Sequence, residues 1–323
     1  MTRRFWLHVG ICSILAIVVA FLSYETGYEF PRSGLPYSPI DWLQPFRVLL
    51  ILPLIYAVSR LLLRVTRNDR PASFASLYAL SIFLPIVAAL VRSPRIQLGV
   101  ILVLFAVLEI LDSDIVRKNS LRAGAYISLA TILVPGAAPV AILCLPVVAW
   151  LTYPDWRPTA RYVLGAALPF AVVGTVIGLI RGFSGVLPEM LSDWPASPNS
   201  LENMIRTHAG AFRELGDAYF LASYAALGTA AVVLSTARGI VASRRGIFVI
   251  AWLAVGLAGL AAFEQRGWVL LAVLGSVFAM ILANVGFTVF SMSNILGTSR
   301  LRMIPLGILF FLPPLLSWVR LLT

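Results

Sequence analysis

Residues 181–218 read RGFSGVLPEMLSDWPASPNSLENMIRTHAGAFRELGDA. This is the one long hydrophilic interval of the chain, and its contrast with its flanks decides the fold class. On both sides the sequence is a succession of apolar runs near the length of about 20 residues that an α-helix needs to cross hydrocarbon. The interval therefore lies outside a bilayer, between an N-terminal bundle over 1–180 and a C-terminal bundle over 219–323. Hydrophobic residues make up 60% of the chain and charged residues 12%, with a mean hydropathy of +0.92. Soluble domains sit at about 45–50% apolar and about 25% charged. The expectation is an all-α polytopic transmembrane helical bundle.

Apolar runs place spans near 5–23, 46–63, 73–91, 97–111, 121–134, 137–152, 160–180, 219–235, 247–263, 268–290 and 304–320, eleven in all. Only Pro135-Gly136 separates the fifth from the sixth, so 121–152 is alternatively a re-entrant hairpin between nine full spans. The N-terminal apolar run is longer than a signal-peptide core and no A-x-A site follows it, so it reads as a retained first span. With the N-terminus cytoplasmic and the C-terminus periplasmic, sixteen of the 25 Lys and Arg residues fall on the inner side. The positive-inside rule favours that orientation in a bacterial inner membrane. Loops 24–45 and 181–218 then share the outer side. Tyr24, Tyr28, Trp42, Trp150, Trp156, Trp194 and Trp268 stand near run ends, as interfacial anchors do.

Within the long interval, Asn199 and Glu202 form a capping box. From there Leu201, Met204, Ile205, His208, Phe212 and Leu215 share one helical face, while Glu202 pairs with Arg206 and Arg213 with Asp217 at i, i+4. This predicts an amphipathic surface helix near 199–216. Arg206, His208 and Arg213 are candidates for contacting a substrate phosphate, because guanidinium groups match phosphate oxygens in pairs. The first outer loop adds Glu25 and Asp41 as candidate catalytic carboxylates and Arg47 as a further phosphate-binding candidate. A carboxylate that takes a proton from an acceptor hydroxyl, opposite arginines that steady a leaving phosphate, is the chemistry of a glycosyltransferase working on lipid-phospho-sugars.

Other classes are excluded or disfavoured. The basic residues, 24 Arg and one Lys, are scattered through the loops, so no nucleic-acid partner is expected. His8 and His208 are too few for an iron or zinc site, and no metal or cofactor is expected. Cys12 and Cys144 fall inside apolar runs and read as small hydrophobes. Glu109 is the principal carboxylate within a span, expected to snorkel or to pair with Arg117 or Arg122. Three classes of function remain: an envelope enzyme or polymerase acting on polyprenyl-phosphate-linked sugars at the outer face, a flippase or transporter for a lipid-linked substrate, and a non-catalytic subunit that binds another envelope membrane protein.

The stretches RNDRPASFASLYALSIFLP and RKNSLRAGAYISLATILVPGAAPVAILCLPVVAWLTYPDWRPTARYVLGAALPF, with the later VLGSVFAMILANVGF, carry a resemblance. They resemble an uncharacterised Bacteroidota family of multi-span inner-membrane proteins. Asn68, Gly124, Ser128, Leu129, Trp156, Arg157, Gly165 and Pro169 match its pattern of an N-D loop, a small-residue hairpin ending in proline, a W-R loop and a G-x-x-x-P span. The resemblance covers roughly 60–280 and departs at the first outer loop and the long interval. It implies an inner-membrane location and an envelope role. Members are sometimes labelled carotene oxygenases, an assignment that two histidines do not support.

Overall fold

In lipid every backbone amide must find its partner within its own segment, so runs of Leu, Ile, Val and Ala become helices whatever their intrinsic preference. The computed structural model describes residues 3–25, 47–66, 77–82 apart from 79, 94–112, 116–134, 137–181, 244–263 and 269–292. Among these residues the chain is helical outside short connections. The helices are α1 (Arg3–Glu25), α2 (Arg47–Thr66), α3 (Pro94–Leu111), α4 (Val116–Leu133), α5 (Ala138–Thr152), α6 (Arg157–Arg181), α7 (Arg244–Phe263) and α8 (Val269–Met292). Residues 77–82 contribute a further helical piece. The expected runs 219–235 and 304–320 and the surface helix near 199–216 lie outside the described residues.

Three stretches are long and apolar enough to cross a membrane by themselves: Arg3–Ala20, Leu49–Thr66 and Arg157–Val176. Shorter apolar helices cover Ile96–Leu111, Ala138–Thr152, Arg245–Leu257 and Val273–Leu282. Helix α4 belongs to neither group, because Arg117, Lys118 and Arg122 fall in its first two turns. Helices α4 and α5 are separate and turn sharply about one another, with the Ala137 amide donating to the Val134 carbonyl at 2.9 Å.

Proline and hydroxyl residues take positions that the helices tolerate. Pro94 opens α3 and Pro139 lies in the first turn of α5, where no amide donor is required. The Asp155 carboxylate accepts from the Arg157 amide at 3.1 Å and holds the start of α6. Ser59, Thr66, Thr131 and Thr152 are buried, and each donates its hydroxyl to the carbonyl four residues earlier. Such hydroxyls impose no polar surface on their neighbours.

Side-chain contacts fix the relative directions of the helices. Arg64 reaches Asp112, so α2 and α3 finish at the same end and run parallel. Glu109 meets Asn119 while Gly99 lies against Val134, so α3 and α4 are antiparallel. Trp150 packs on Phe248, and Leu143 meets Trp252 and Gly256, so α5 and α7 are antiparallel. Short connections reverse the chain between α4 and α5 and again between α5 and α6. Helices α6 and α7 consequently run in the same direction. The starts of α3 and α8 share an end, because Gly99 faces Leu270.

The closest contact joins α4 to α6. A Cβ on Gly124 would collide with the Tyr162 carbonyl oxygen, and one on Gly165 with the Leu121 carbonyl oxygen. Backbone touches backbone there, and Ser128 continues the small face of α4 one turn on. Ile55, Leu61, Leu62, Val103, Leu104, Val107, Phe278 and Met280 fill the centre of the bundle. The outward faces are also apolar. Leu7, Ile11, Ile14 and Val18 project from α1, and Leu164, Leu168, Val172, Val176 and Leu179 from α6. Apolar rows of this extent suit a surface that meets lipid.

Candidate functional site

Polar side chains gather where α2 and α3 end and α4 begins. Glu109 and Asp112 stand in the last turn of α3 and just past it, facing the negative pole of that helix, an unfavourable place for carboxylates. Each is answered from a neighbour. The Arg64 guanidinium donates to Asp112 at 2.7 Å, and the Asn119 amide donates to the Glu109 carboxylate. Arg60, one turn before Arg64, lies over the Tyr56 ring at 6.0 Å. Tyr56 in turn stacks on Trp6 of α1, with ring centroids 6.2 Å apart and planes at 19°.

Among the described residues the two ends of the bundle differ in charge. The end that holds this cluster also carries Arg117, Lys118, Arg122, Arg157, Arg161, Arg244 and Arg245 at helix starts. The opposite end has Arg47 and Arg95 at the starts of α2 and α3 and Arg181 at the end of α6. Basic residues are thus sorted by end, as membrane proteins sort them by side.

A second polar group lies between α1 and residues 77–82. The His8 Nδ1 and the Tyr78 hydroxyl are 2.7 Å apart, and the two rings meet edge to face. Cys12, one turn along α1, hydrogen bonds Ser81, whose hydroxyl also donates to the Tyr78 carbonyl at 2.6 Å. The register 8 to 78 and 12 to 81 makes α1 run parallel to this helical piece. An imidazole bonded to a phenol can pass a proton between them, and the pair stands near the start of α1.

A third feature surrounds Pro146 of α5. Proline removes one intrahelical bond and crowds the carbonyl four residues earlier. On either side of that carbonyl, Ala141 accepts from the Tyr162 hydroxyl and Leu143 from the Trp252 indole, both at 3.1 Å. Donors from α6 and α7 thereby bind the carbonyls beside the proline turn. Gln97 differs: it is buried, and among the described residues neither its amide nitrogen nor its carbonyl oxygen has a partner. The buried Ser120 and Ser128 hydroxyls of α4 are likewise without partners among the described residues.

Of the residues singled out from the sequence, Glu25 is the last residue of α1 and Arg47 the first of α2. The two flank the first polar loop. Asp41, Arg206, His208 and Arg213 lie outside the described residues. Glu109 was expected to snorkel or to pair with Arg117 or Arg122; its hydrogen-bond partner is instead Asn119, a neutral amide one turn into α4, and Arg122 is exposed. Among the described residues no three His, Cys, Asp or Glu side chains gather as a metal site would require. Cys12 and Cys144 are buried and free.

Sequence reasoning passed over the Arg64–Asp112 pair, the His8–Tyr78 bond and Gln97. Two signals were available: arginines at i, i+4 closing α2 opposite acids closing α3, and His8 with Cys12 at i, i+4 inside an apolar run. Comparison with family models, with curated proteins and with solved structures finds no match.

Proposed function

We propose that this chain is a multi-pass inner-membrane protein of about eleven spans, N-terminus inside, that acts on polyprenyl-phosphate-linked sugars at the outer face. One observation supports it most. Arg47, where the first polar loop enters α2, and Arg181, where α6 opens the long polar interval, lie at the same end of the bundle. The acids of one loop and the arginines of the other can therefore meet over a single patch of membrane. That end is the one poor in basic residues, which the positive-inside rule puts outside.

In this reading Asp41, with Glu25 as the second candidate, takes the proton of an acceptor hydroxyl as its oxygen attacks the anomeric carbon. The bond from that carbon to the phosphate oxygen breaks, and the electron pair leaves with polyprenyl phosphate. Arg47, Arg206, His208 and Arg213 meet the charge of the leaving phosphate. An envelope role also agrees with the family that the stretches between 60 and 280 resemble. A second reading, a subunit that docks a partner helix, is favoured by the long exposed apolar row of α6.

The test is mass spectrometry of lipids and proteins that co-purify with the full chain in native nanodiscs. The expected result is enrichment of a polyprenyl phosphate that is lost in the Arg206→Ala/Arg213→Ala variant, with turnover lost in Asp41→Asn. Bulk phospholipid alone, together with a stoichiometric membrane partner, would overturn the enzymatic reading in favour of the subunit.

A further inference from the structure

We propose that the seam where the end of α5 meets the start of α7 is a binding site for an anionic phospholipid, with Arg245, Tyr153 and Trp150 holding its phosphate. The seam lies at the basic end of the bundle, opposite Arg47 and Arg181, and stands independently of the reaction discussed above.

Contacts fix its register. Leu143 of α5 lies against Gly256 and its carbonyl accepts from the Trp252 indole, while the Trp150 and Phe248 rings meet with centroids 4.8 Å apart. Three residues beyond that ring pair, toward the basic end, stand Tyr153 at the C-cap of α5 and Arg245 on α7. The two are therefore level on touching helices. Arg245 also precedes Trp252 by about two turns and Gly256 by about three, so it leaves α7 on the side that faces α5.

The same faces are open to the outside. Arg245, Phe248, Trp252 and Val255 fall at i, i+3, i+7 and i+10 on α7, and Ile142, Pro146, Ala149 and Tyr153 at i, i+4, i+7 and i+11 on α5. All eight are exposed. Below Arg245 and Tyr153 this shared face is apolar. From Arg245 to Val255 it runs about 15 Å at 1.5 Å per residue, the depth of one leaflet of a hydrocarbon core about 30 Å thick. A charged head above an apolar strip of one leaflet's depth is the profile of a phospholipid.

The polar groups at the top are donors. The Trp252 indole is spent on the Leu143 carbonyl. Among the described residues the Arg245 guanidinium, the Tyr153 hydroxyl and the Trp150 indole have no hydrogen-bond or ion-pair partner. Asp155, in the connection after Tyr153, accepts the Arg157 amide, and the Arg157 charge offsets its own. Guanidinium donors match phosphate oxygens in pairs, and tryptophan and tyrosine favour the headgroup layer where a phosphodiester lies. One uncompensated cation among neutral donors selects a headgroup that adds no ammonium of its own.

The experiment uses the full chain in nanodiscs of phosphatidylcholine with a minor fraction of phosphatidylglycerol. Native mass spectrometry reads which lipid stays bound as the disc is stripped. The parent is expected to retain phosphatidylglycerol with about fivefold preference over its share of the disc, in line with one arginine near an anionic surface. Arg245→Gln should lower that preference to less than about twofold, with Arg245→Lys intermediate. Tyr153→Phe withdraws a donor and no charge, so it should lower retention of either lipid by about twofold or more and leave the preference in place. Arg4→Gln, an exposed arginine on α1, whose main neighbour is α2, should change neither. Three outcomes overturn the proposal: no preference in the parent, an equal loss in Arg4→Gln, or displacement of the lipid by millimolar inorganic phosphate. The second would mean diffuse attraction, and the third a site for free phosphate.

Discussion

Adding one methyl group at Gly124 tests the packing of the bundle more sharply than any polar substitution. In Gly124→Ala the new Cβ would collide with the Tyr162 carbonyl oxygen and lie 2.8 Å from the Ala166 nitrogen. Both obstacles are backbone, so no side chain can swing aside. Helices α4 and α6 must separate by on the order of 1 Å, enough to forfeit a quarter to a half of each dispersion contact along the interface. Overpacking of this kind costs about 1–3 kcal/mol. Loss of close Cα–H contacts to carbonyls adds about 0.5–1 kcal/mol each. The expected destabilisation is about 2–4 kcal/mol, despite the better helix propensity of alanine. Gly165→Ala meets the Leu121 carbonyl in the same way and should cost a similar amount. Once the helices have parted for one methyl the second is accommodated, so the double variant should fall well short of the sum. Gly10→Ala is the control, because nothing lies within 4 Å of the added group. It should be neutral or stabilising by up to about 1 kcal/mol. Equilibrium unfolding in mixed detergent micelles measures all four. A Gly124→Ala variant within about 0.5 kcal/mol of the parent, or strict additivity with Gly165→Ala, would refute the backbone contact.

Four further outcomes are expected in the same assay. Asn119→Ala removes a partly buried hydrogen bond to a carboxylate and should cost about 1.5–3 kcal/mol. Arg64→Ala breaks an ion pair whose arginine is 42% exposed, so it should cost at most about 1 kcal/mol and less at high salt; the reverse ranking would contradict the placement of both acids. Tyr162→Phe and Trp252→Phe each withdraw a donor from a carbonyl beside Pro146 and should each cost about 0.5–1.5 kcal/mol, a loss that hydrogen exchange would localise to α5. Gln97→Met keeps the side-chain size and removes two unpartnered polar atoms, so it should raise stability by about 1 kcal/mol; a destabilised variant would show that the amide has a partner.

The coarse architecture was legible because it depends on quantities that a sequence carries locally. Apolar runs predicted near 5–23, 46–63 and 160–180 coincide with the three stretches able to cross a membrane alone. The run near 121–134 was harder to read, since α4 begins five residues earlier in basic sequence and is held as much by the flat contact with Gly165 as by hydropathy. Gly124 and Gly165 were visible as small residues, but which helix each would meet is a property of the tertiary arrangement. The polar contacts fell outside sequence reasoning for the same reason. His8 and Tyr78 are 70 positions apart, and Arg64 and Asp112 are 48. The loop candidates Asp41, Arg206, His208 and Arg213 were chosen by residue type and spacing, and these do not reveal whether two loops meet.

Helix direction constrains the chain in a way that hydropathy does not. Helices α2 and α3 run parallel, so Thr66 and Pro94 stand at opposite ends of the bundle. The helical residues 77–82 lie in the interval between them, and Leu77 and Leu80 are fully buried. Helices α6 and α7 also run parallel, so Arg181 and Arg244 stand at opposite ends of the bundle. In each interval the sequence has one apolar run of spanning length, 73–91 in the first and 219–235 in the second. The apolar runs come from composition and the directions from contacts such as Arg64–Asp112 and Trp150–Phe248, so neither was chosen to suit the other. Both runs belong to the proposed eleven spans. The directions of the described helices, rather than these connections, set Arg181 and Arg47 at one end of the bundle, the condition that a site shared by the two loops requires.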